Sequence, residues 1–405
     1  MQQGYKQTEV GMIPEDWDLK HLNDFGDVIS GGTPSTSVGE YWDGDIAWCT
    51  PSDITSTMGK YIYKTDRNIT HQGLKNSAAT ILPPNSILLC TRATIGELKL
   101  SGVPMATNQG FKNLCPNATG NVDYLYYLLQ TKKKDMVELA IGSTFLEISK
   151  KALCSIALQT PSLPEQGRIA EALSDVDGMI SSLEKLIAKK KAVKQGAMQE
   201  LLTGKKRLPG FTGEWAHMEL GKYGSLMKET INPQVYSSEY FWEYSMPAFD
   251  EGRTPIKQKG ADMHSNRTVI CGKVLLFNKL NVRQKRIWLI DQCRDNAVCS
   301  SEFLPYKSDA INLELLSQIL YTDKVTLEFI GMSTGTSNSQ KRITPDAFLE
   351  YKVYLPVNEK EQAAIANVFS CMDNEIEALE QKLEKTRQIK QGMMQQLLTG
   401  KIRLV

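Results

Sequence analysis

The chain has 405 residues, 41% of them hydrophobic, and its 47 basic and 46 acidic side chains leave a formal net charge of +1. This length favours two or three domains with buried cores, and the near-zero net charge gives no support for nucleic-acid binding unless a basic surface is local. No apolar run reaches the roughly 18 residues that span a bilayer, and the N-terminus lacks the basic-then-apolar order of a signal peptide, so we expect a cytoplasmic protein.

The first globular segment, about residues 18–160, alternates strand-like and helix-like stretches. The apolar run SILLC, from Ser86 to Cys90, predicts a buried strand, and VDYLYYLLQ, from Val122 to Gln130, predicts a helix. Trp42 and Trp48 are expected in the core of this segment rather than on its surface.

A long helix is predicted to follow, from Glu165 to Thr203. Its apolar residues are spaced 4-3-4-3-4, which is typical of a coiled-coil seam. At about 1.5 Å per residue the helix would be a rod of roughly 58 Å, and Gly204 is a natural stop. The seam residues are Ile169, Leu173, Val176, Ile180, Leu183 and Ile187.

The second globular segment, about residues 216–352, has a similar layout with little sequence identity to the first. KVLLF, from Lys273 to Phe277, predicts a strand, and LELLSQIL, from Leu313 to Leu320, predicts a helix. Both segments close with a Gly/Ser/Thr-rich loop, a helix N-cap, a short helix and a strand. The loops are Gly142 to Thr144 and Gly335 to Ser339, and the N-caps are Ser149 and Thr344.

The sequence contains an internal duplication. The stretch from Glu165 to Leu208 returns as Glu361 to Leu404 at a constant offset of 196, and half of the 44 positions are identical. A weaker echo of the opening Trp17 follows the first copy at Trp215. The repeated seam is Ile365, Phe369, Met372, Ile376, Leu379 and Leu383.

These repeats predict a cyclic architecture of the α+β class. Two α/β globular domains are joined by two long helices, which we expect to pair as an antiparallel coiled coil around a pseudo-two-fold axis; parallel pairing is the alternative. The predicted boundaries are 1–160 and 208–354 for the globular domains and 161–207 and 355–405 for the helical segments.

Two divergent heads on a duplicated helical spacer suit a protein that reads two different DNA half-sites, but equally one that spaces two protein partners. A basic segment favours DNA slightly, since residues 253–294 contain ten basic and two acidic side chains. Arg, Lys, Asn, Gln, Ser and Thr are also the residue types that contact phosphates and base edges. An ordinary solvated loop remains the alternative for each candidate. The candidate DNA-contacting residues are Gly32, Thr33, Ser35, Thr36, Arg92, Asn108 and Gln109 in the first head and Arg253, Lys257, Lys279, Arg283, Lys285, Arg286, Lys341 and Arg342 in the second.

Motifs for catalysis are missing from the sequence. There is no GxxxxGK[ST] phosphate loop, no N/D-P-P-aromatic motif of adenine methyltransferases, and no GxSxG or HExxH motif. The eight cysteines form no CxxC pair and only four histidines are present, which predicts reduced thiols and no metal site. We therefore expect a chain without catalytic residues that binds no cofactor.

The motifs SGGTPSTS (Ser30 to Ser37), EYWDGDIAW (Glu40 to Trp48), TPSDI (Thr50 to Ile54) and TNQGF (Thr107 to Phe111), together with the twin EQ-to-LLTGK helices, resemble type I restriction-modification specificity subunits. The resemblance covers nearly the whole chain. The second head departs from it, because KETINPQ (Lys228 to Gln234) stands where a GGTPS motif would be, so its recognition loops cannot be placed by matching.

The resemblance implies two target recognition domains, each reading one half of a bipartite, asymmetric DNA site. It implies docking of two methyltransferase subunits that use S-adenosylmethionine, and of restriction subunits that use ATP and Mg. A protein-only scaffold and an unrecognised metal-dependent nuclease are the alternatives. The expected partner-docking residues lie on the twin helices: Lys194, Gln195, Gln199, Lys390, Gln391 and Gln395.

Overall fold

A computed structural model describes residues 4–142, 146–335 and 340–405. It divides into two compact units, unit 1 being Met1–Leu186 with Leu379–Val405 and unit 2 being Ile187–Ala378. Each unit contains one globular head and one part of each long helix. None of the helices in the described part of the chain has the length and apolarity that a membrane span requires.

The head of unit 1 is built on two sheets. A five-stranded sheet has the order β4-β11-β8-β9-β6 and a three-stranded sheet the order β10-β5-β7. Trp17, Phe25, Tyr124 and Tyr127 are fully buried in the largest core cluster. In chain order the elements are β1 (Tyr5–Thr8), β2 (Gly11–Pro14), β3 (Asp18–His21), β4 (Gly26–Ser30), β5 (Trp42–Cys49), α1 (Pro51–Ser56), β6 (Tyr61–Ile62), β7 (Arg67–Ile69), α2 (His71–Lys75), β8 (Ile87–Leu89), β9 (Leu98–Ser101), β10 (Met105–Thr107), β11 (Lys112–Pro116), α3 (Val122–Thr131), α4 (Lys133–Glu138), α5 (Lys150–Cys154), β12 (Ala157–Thr160) and the long helix α6 (Leu163–Leu201).

The head of unit 2 also has two sheets. Their orders are β14-β22-β19-β20 and β15-β18-β21-β16-β17. Phe277, Phe329 and Phe348 form an aromatic cluster in its core, with ring centroids 4.9–6.2 Å apart. In chain order the elements are β13 (Trp215–Glu219), α7 (Leu220–Tyr223), β14 (Ser225–Leu226), β15 (Thr230–Ile231), β16 (Tyr240–Tyr244), α8 (Met246–Asp250), β17 (Ile256–Lys259), β18 (Arg267–Val269), β19 (Val274–Asn278), β20 (Ile287–Ile290), β21 (Ala297–Ser300), β22 (Phe303–Lys307), α9 (Leu313–Leu320), α10 (Asp323–Met332), α11 (Pro345–Glu350), β23 (Lys352–Pro356) and the long helix α12 (Glu359–Leu397).

The two heads share one strand plan. Antiparallel strands β4-β11-β8-β9 of unit 1 have the same order and directions as β14-β22-β19-β20 of unit 2. Strand β5 pairs in parallel with β10 and antiparallel with β7, and β16 pairs in the same way with β21 and β17. Seven strands of each head therefore correspond although the sequences differ, whereas β6 of unit 1 and β15 and β18 of unit 2 have no such counterpart.

Local predictions hold where the structure describes the chain. The predicted runs coincide with β8, α3, β19 and α9. The hydroxyls of Ser149 and Thr344 accept hydrogen bonds from the backbone N–H of Ala152 and Ala347, at 3.1 Å each, which confirms both N-caps. Most of the two predicted Gly/Ser/Thr-rich loops, namely residues 143–144 and 336–339, lies outside the described residues.

Ion pairs within each unit confirm that the long helices run antiparallel. In unit 1, Asp177 pairs with Lys390 at 2.7 Å and Glu184 with Arg387 at 2.7 Å, so partner numbers fall along α12 as they rise along α6. The same order holds in unit 2, where Lys190 pairs with Glu375 and Lys194 with Asp373, each at 2.5 Å. Of the predicted seam, Ile169, Leu173, Val176, Leu183, Ile187, Ile365, Phe369 and Ile376 are buried.

A glutamine near the start of each long helix ties that helix to its head. The side chain of Gln166 accepts a hydrogen bond from the backbone N–H of Asn121, the N-cap of α3, at 2.9 Å, and donates to the carbonyl of Pro161 at 2.9 Å. Gln362 makes the same two contacts in unit 2, to Asn312 at 2.8 Å and Pro356 at 2.9 Å. Both glutamines are about 1% exposed or less. Buried amides that are fully paired fix the angle at which the chain enters the helix.

The preceding glutamates form a second repeated contact. The Glu165 carboxylate, 2% exposed, accepts from Arg403 at 2.7 Å and from the Trp17 indole at 3.1 Å. In unit 2 the Glu361 carboxylate accepts from Arg207 at 2.5 Å and from the Trp215 indole at 3.3 Å. Trp17 and Trp215, which the sequence comparison had paired, therefore occupy equivalent positions in the two units.

Candidate nucleic-acid interface

In unit 1, three of the polar loops meet at one edge of the head, where parallel strands β5 and β10 end. The backbone N–H of Asn108 donates to the carbonyl of Cys49 at 3.0 Å, and the N–H of Gly32 donates to the carbonyl of Thr107 at 2.9 Å. The hydroxyl of Thr33 donates to the side chain of Gln109. We call the group formed by residues 31–33, 91–92 and 107–110 loop cluster 1.

Close backbone approach explains the glycine at position 31. A Cβ there would lie 1.9 Å from the carbonyl oxygen of Asn108, far inside van der Waals contact. The Asn108 side chain accepts from the backbone N–H of Gly110 at 2.9 Å, and the N–H of Thr91 donates to the carbonyl of Gly110 at 2.8 Å. Loop cluster 1 thus presents hydroxyl and amide groups on a tightly paired backbone. Such groups both donate and accept hydrogen bonds at base edges.

The other candidates of the first head lie differently. Ser35 accepts a hydrogen bond at its carbonyl from the Trp42 indole, at 3.1 Å, so it lies near the start of β5, whereas Asn108 lies at its end. Ser35 and the exposed Thr36 are therefore not brought into loop cluster 1. Arg92 does belong to it, because the preceding residue, Thr91, donates its backbone N–H to the carbonyl of Gly110 at 2.8 Å. The core placement of Trp42 and Trp48 is confirmed, since they are 7% and 5% exposed.

Unit 2 has a corresponding cluster, which the sequence alone could not place. The carbonyl of Lys279 accepts from the N–H of Ile343 at 3.0 Å, and the N–H of Lys279 donates to the carbonyl of Glu302 at 2.9 Å. In unit 1 the same two bonds join Thr91 to Ile148 and to Gly110. We call the group formed by residues 279–281, 302 and 341–342 loop cluster 2.

Loop cluster 2 carries mainly cationic side chains. Lys341 is held by a backbone hydrogen bond from Asn281 at 2.9 Å, and Arg342 forms a β-bridge with Leu280. The Arg342 guanidinium makes two hydrogen bonds to Glu302, at 3.1 and 3.2 Å, and these raise the pKa of Arg342. The predicted residues Lys279, Lys341 and Arg342 therefore come together, although Arg342 already has a carboxylate partner.

Three other predicted basic residues are turned away from this cluster. Arg286 forms a two-point pair with Asp250 at 2.7 and 2.8 Å, which lowers the pKa of Asp250. Lys285 pairs with Asp323 at 2.5 Å, and Arg253 donates to the Tyr321 hydroxyl at 3.0 Å. The carboxylate partners reduce the charge that Arg286 and Lys285 contribute to a DNA-facing surface, whereas the hydroxyl that binds Arg253 leaves its charge uncancelled. The stretch NKLNVRQKR therefore does not form one basic face.

The remaining two candidates are exposed. Arg283 lies in the one-turn helix Val282–Gln284 beside loop cluster 2, and Lys257 lies in strand β17 on another part of the head.

The docking candidates on the long helices divide into two kinds. Lys194 and Lys390 bind Asp373 and Asp177, so their ammonium groups help to hold the two long helices together. A role of either lysine in docking stays a prediction. Gln195 and Gln199 are exposed and line a cavity of about 700 Å³ in unit 2, and Gln391 and Gln395 are exposed in unit 1.

The same two aspartates also bind side chains of the heads, which no sequence pattern indicated. Asp177 accepts from the Tyr127 hydroxyl of α3 at 2.7 Å, and Asp373 accepts from the Gln318 amide of α9 at 3.0 Å. In each unit one carboxylate thus joins both long helices to the head. The sequence did not reveal this correspondence, because the donor is Tyr127 in unit 1 and Gln318 in unit 2.

The described ranges contain no group of three or more His, Cys, Asp or Glu side chains that could hold a metal ion. The cysteines are free thiols, and burial raises the pKa of Cys90 and Cys299 to about 12.

The comparisons with known proteins agree with one another. The family model described as type I restriction modification DNA specificity domain matches residues 14–195. The specificity subunit of type I restriction enzyme MjaIX from Methanocaldococcus jannaschii is 41% identical over 183 residues, which cover 45% of this chain and 42% of that protein. The MjaVIII specificity subunit of the same organism is 24% identical over an alignment covering 100% of this chain and 97% of that protein. The EcoR124I/EcoR124II specificity subunit of Escherichia coli is 30% identical over 186 residues, 44% of each chain.

The chain thus spans less than half the length of two of these relatives and nearly all of the third. Among solved structures, the type I restriction-modification S subunit from M. genitalium superposes with a TM-score of 0.60 at 14% identity, covering 94% of this chain and 96% of that one. A second structure, from a study of the assembly of a type I system, gives 0.56 at 13% identity, covering 96% and 99%. At such identities the likeness concerns the fold. The chain is thus similar to type I restriction-modification DNA specificity subunits, by the family model over residues 14–195 and, at 24% identity, over its full length.

Proposed function

We propose that this chain selects the DNA sequence for a type I restriction-modification complex, reading a bipartite, asymmetric site with one half assigned to each head. The observation that supports this best is the pair of corresponding loop clusters. Loop cluster 1 offers hydroxyl and amide groups from Thr33, Asn108 and Gln109 beside one cation, Arg92, whereas loop cluster 2 offers the cations of Lys279 and Lys341. Because amides pair best with adenine and cations with guanine, the two clusters offer sets of side chains that suit different bases.

The chain itself is the noncatalytic member of the complex. Two methyltransferase subunits dock on the repeated helices and methylate adenine with S-adenosylmethionine, and restriction subunits add translocation and cleavage with ATP and Mg. Gln195 and Gln199 in unit 2, and Gln391 and Gln395 in unit 1, are the exposed repeated residues available to two copies of one partner. The adenine is flipped into the pocket of the methyltransferase, so this chain binds no cofactor. We expect the complex in the cytoplasm with its DNA.

The test is genome-wide mapping of methylated adenine in cells that express the chain with its neighbouring methyltransferase. The matched control is the methyltransferase alone. We expect a bipartite methylated motif only when both are present. A soluble, associated pair that yields no motif would contradict the proposal and favour a scaffold for protein partners.

A further inference from the structure

Strands β16 and β17 form a hairpin whose outer face combines aromatic and basic side chains. Tyr240 lies directly opposite Lys259, and Trp242 lies directly opposite Lys257. Because successive side chains of a strand alternate between faces, these four residues share one face of the sheet. Tyr240 is 53% exposed, whereas Phe241, on the other face, is 4% exposed and belongs to the core.

The rings of this face hold cations. The Lys257 ammonium lies 5.2 Å from the ring centroid of Tyr240 and 5.8 Å from that of Trp242. The Arg294 guanidinium, which comes from the loop before β21, lies 3.9 Å from the centroid of Trp242. Cation–π contacts restrict the motion of a charged group without neutralising its charge. The face defined by Tyr240, Trp242, Lys257, Lys259 and Arg294 is called the hairpin face below.

The charge of the hairpin face is not cancelled by ion pairs. Arg267, Lys273, Lys285 and Arg286, which belong to the same basic stretch, each have a carboxylate partner. Within residues 4–142, 146–335 and 340–405, no carboxylate oxygen lies within 4.0 Å of the charged nitrogens of the three cations of the hairpin face. Three exposed positive charges are therefore left facing solvent.

Protection of a sheet edge does not explain this arrangement fully. Strand β17 is the edge strand of its sheet, and lysines on edge strands prevent pairing with other chains. That role requires neither the stacking of Arg294 on Trp242 nor its supply from a separate loop. A preorganised cluster of three cations instead complements a polyanion.

We propose that the hairpin face binds the phosphate backbone of double-stranded DNA independently of sequence. The inference rests on the proposed function and adds a second contact in the same head. It is separate from loop cluster 2, because the hairpin belongs to the sheet β15-β18-β21-β16-β17, whereas residues 279–281 and 302 of loop cluster 2 adjoin β19 and β22 of the other sheet. Loop cluster 2 selects bases, and the hairpin face adds affinity without selectivity.

The test compares two triple variants of the full chain in complex with its methyltransferase. Lys257→Gln, Lys259→Gln and Arg294→Gln together neutralise the hairpin face. Binding to a linear duplex of random sequence is measured across a salt series by fluorescence anisotropy. Removing one cation that binds a phosphate lowers the slope of log affinity against log salt by about 1, so we expect the slope to fall by about 3 in magnitude.

The matched control is Lys205→Gln, Lys222→Gln and Lys360→Gln, which removes the same charge from exposed positions of unit 2. Its slope is expected to remain within about 1 of the wild type. Equal slopes in the two triple variants would overturn the inference. Since all six substituted side chains are exposed, matching melting temperatures verify that each variant is folded.

Methylation mapping with the same variants separates this inference from the proposed function. The hairpin variant is expected to methylate the wild-type motif with uniformly lower efficiency at all sites. A wild-type motif with an unchanged salt slope would refute the hairpin contact alone. Failure of the wild-type chain to produce any motif would instead refute the proposed function.

Discussion

The heads of unit 1 and unit 2 present different side chains on the same strand plan. At corresponding backbone positions unit 1 has Thr91 and unit 2 has Lys279, and the adjoining bridge positions carry Glu147 and Arg342, which have opposite charges. By contrast, the buried contacts at the start of the long helices are the same in both units, through Gln166 and its counterpart. Buried hydrogen bonds are costly to lose, whereas exposed side chains can change with little cost to stability. The fold therefore constrains where the loop clusters lie and leaves their chemistry free.

The largest expected effect concerns the equivalent tryptophans. Trp17 is fully buried and Trp215 only partly. Trp17→Ala should lower the free energy of unfolding of unit 1 by about 3–5 kcal/mol, the cost of emptying a buried aromatic site. Trp215→Ala should cost unit 2 clearly less. Urea unfolding of both variants measures this difference. Equal losses of unfolding free energy would contradict the prediction that the fully buried tryptophan contributes more to stability.

Loop cluster 1 can be distorted without removing a polar side chain. Gly31→Ala would place a methyl group on the carbonyl of Asn108 and force the backbone to move, which we expect to reduce methylation by about a hundredfold. Gly39→Ala is the control, because a Cβ at Gly39 meets nothing within 4 Å. Methylation rates on a plasmid carrying the motif measure both. A control variant as inactive as Gly31→Ala would contradict the local explanation.

The repeated glutamines should give matching decreases in stability in the two units. Gln166→Leu removes two hydrogen bonds and Gln362→Leu removes three, and each leaves the backbone N–H of an N-cap residue unpaired. We expect each to cost about 1–3 kcal/mol. Thermal unfolding, monitored by hydrogen exchange in each unit, measures the two losses of stability. Strongly unequal losses would show that the two glutamines have equivalent positions but contribute differently to stability.

The smallest effects distinguish base reading from phosphate binding. Asn108→Ala should relax selectivity at one position of the unit 1 half-site, by about 1–3 kcal/mol of discrimination.

Lys279→Gln tests whether loop cluster 2 also contacts phosphates. If it does, the slope of log affinity against log salt falls by about 1 with the motif unchanged. Relaxed selectivity at the unit 2 half-site, without a change in slope, would make Lys279 a base-reading residue.

Sequence patterns predicted the helical framework because its signals are periodic or repeated. The 4-3-4 spacing from Ile169 to Ile187 and the identity of the Glu165 and Glu361 copies indicated two paired helices, and Trp215 was found as an echo of Trp17. These signals depend on burial, which restricts residue type strongly.

The loop clusters were only partly predictable. Lys285 and Arg286 stand in the same basic run as Lys279, but their partners Asp323 and Asp250 come from helices distant in sequence. The correspondence between the two clusters lies in backbone hydrogen bonds, which leave no residue identity to match. Tyr240 and Trp242 stand two positions apart, as do Lys257 and Lys259, but only the register of the hairpin shows that all four lie on a single face.

The central claim is that each head reads one half-site independently, and exchange of one head tests it most directly. Residues 216–352 would be replaced by the corresponding segment of a type I specificity subunit, and methylated adenine would be mapped with the same methyltransferase. We predict that one half of the bipartite motif changes and the other half stays as in the wild type. A change in both halves, or in neither with the complex intact, would contradict the claim.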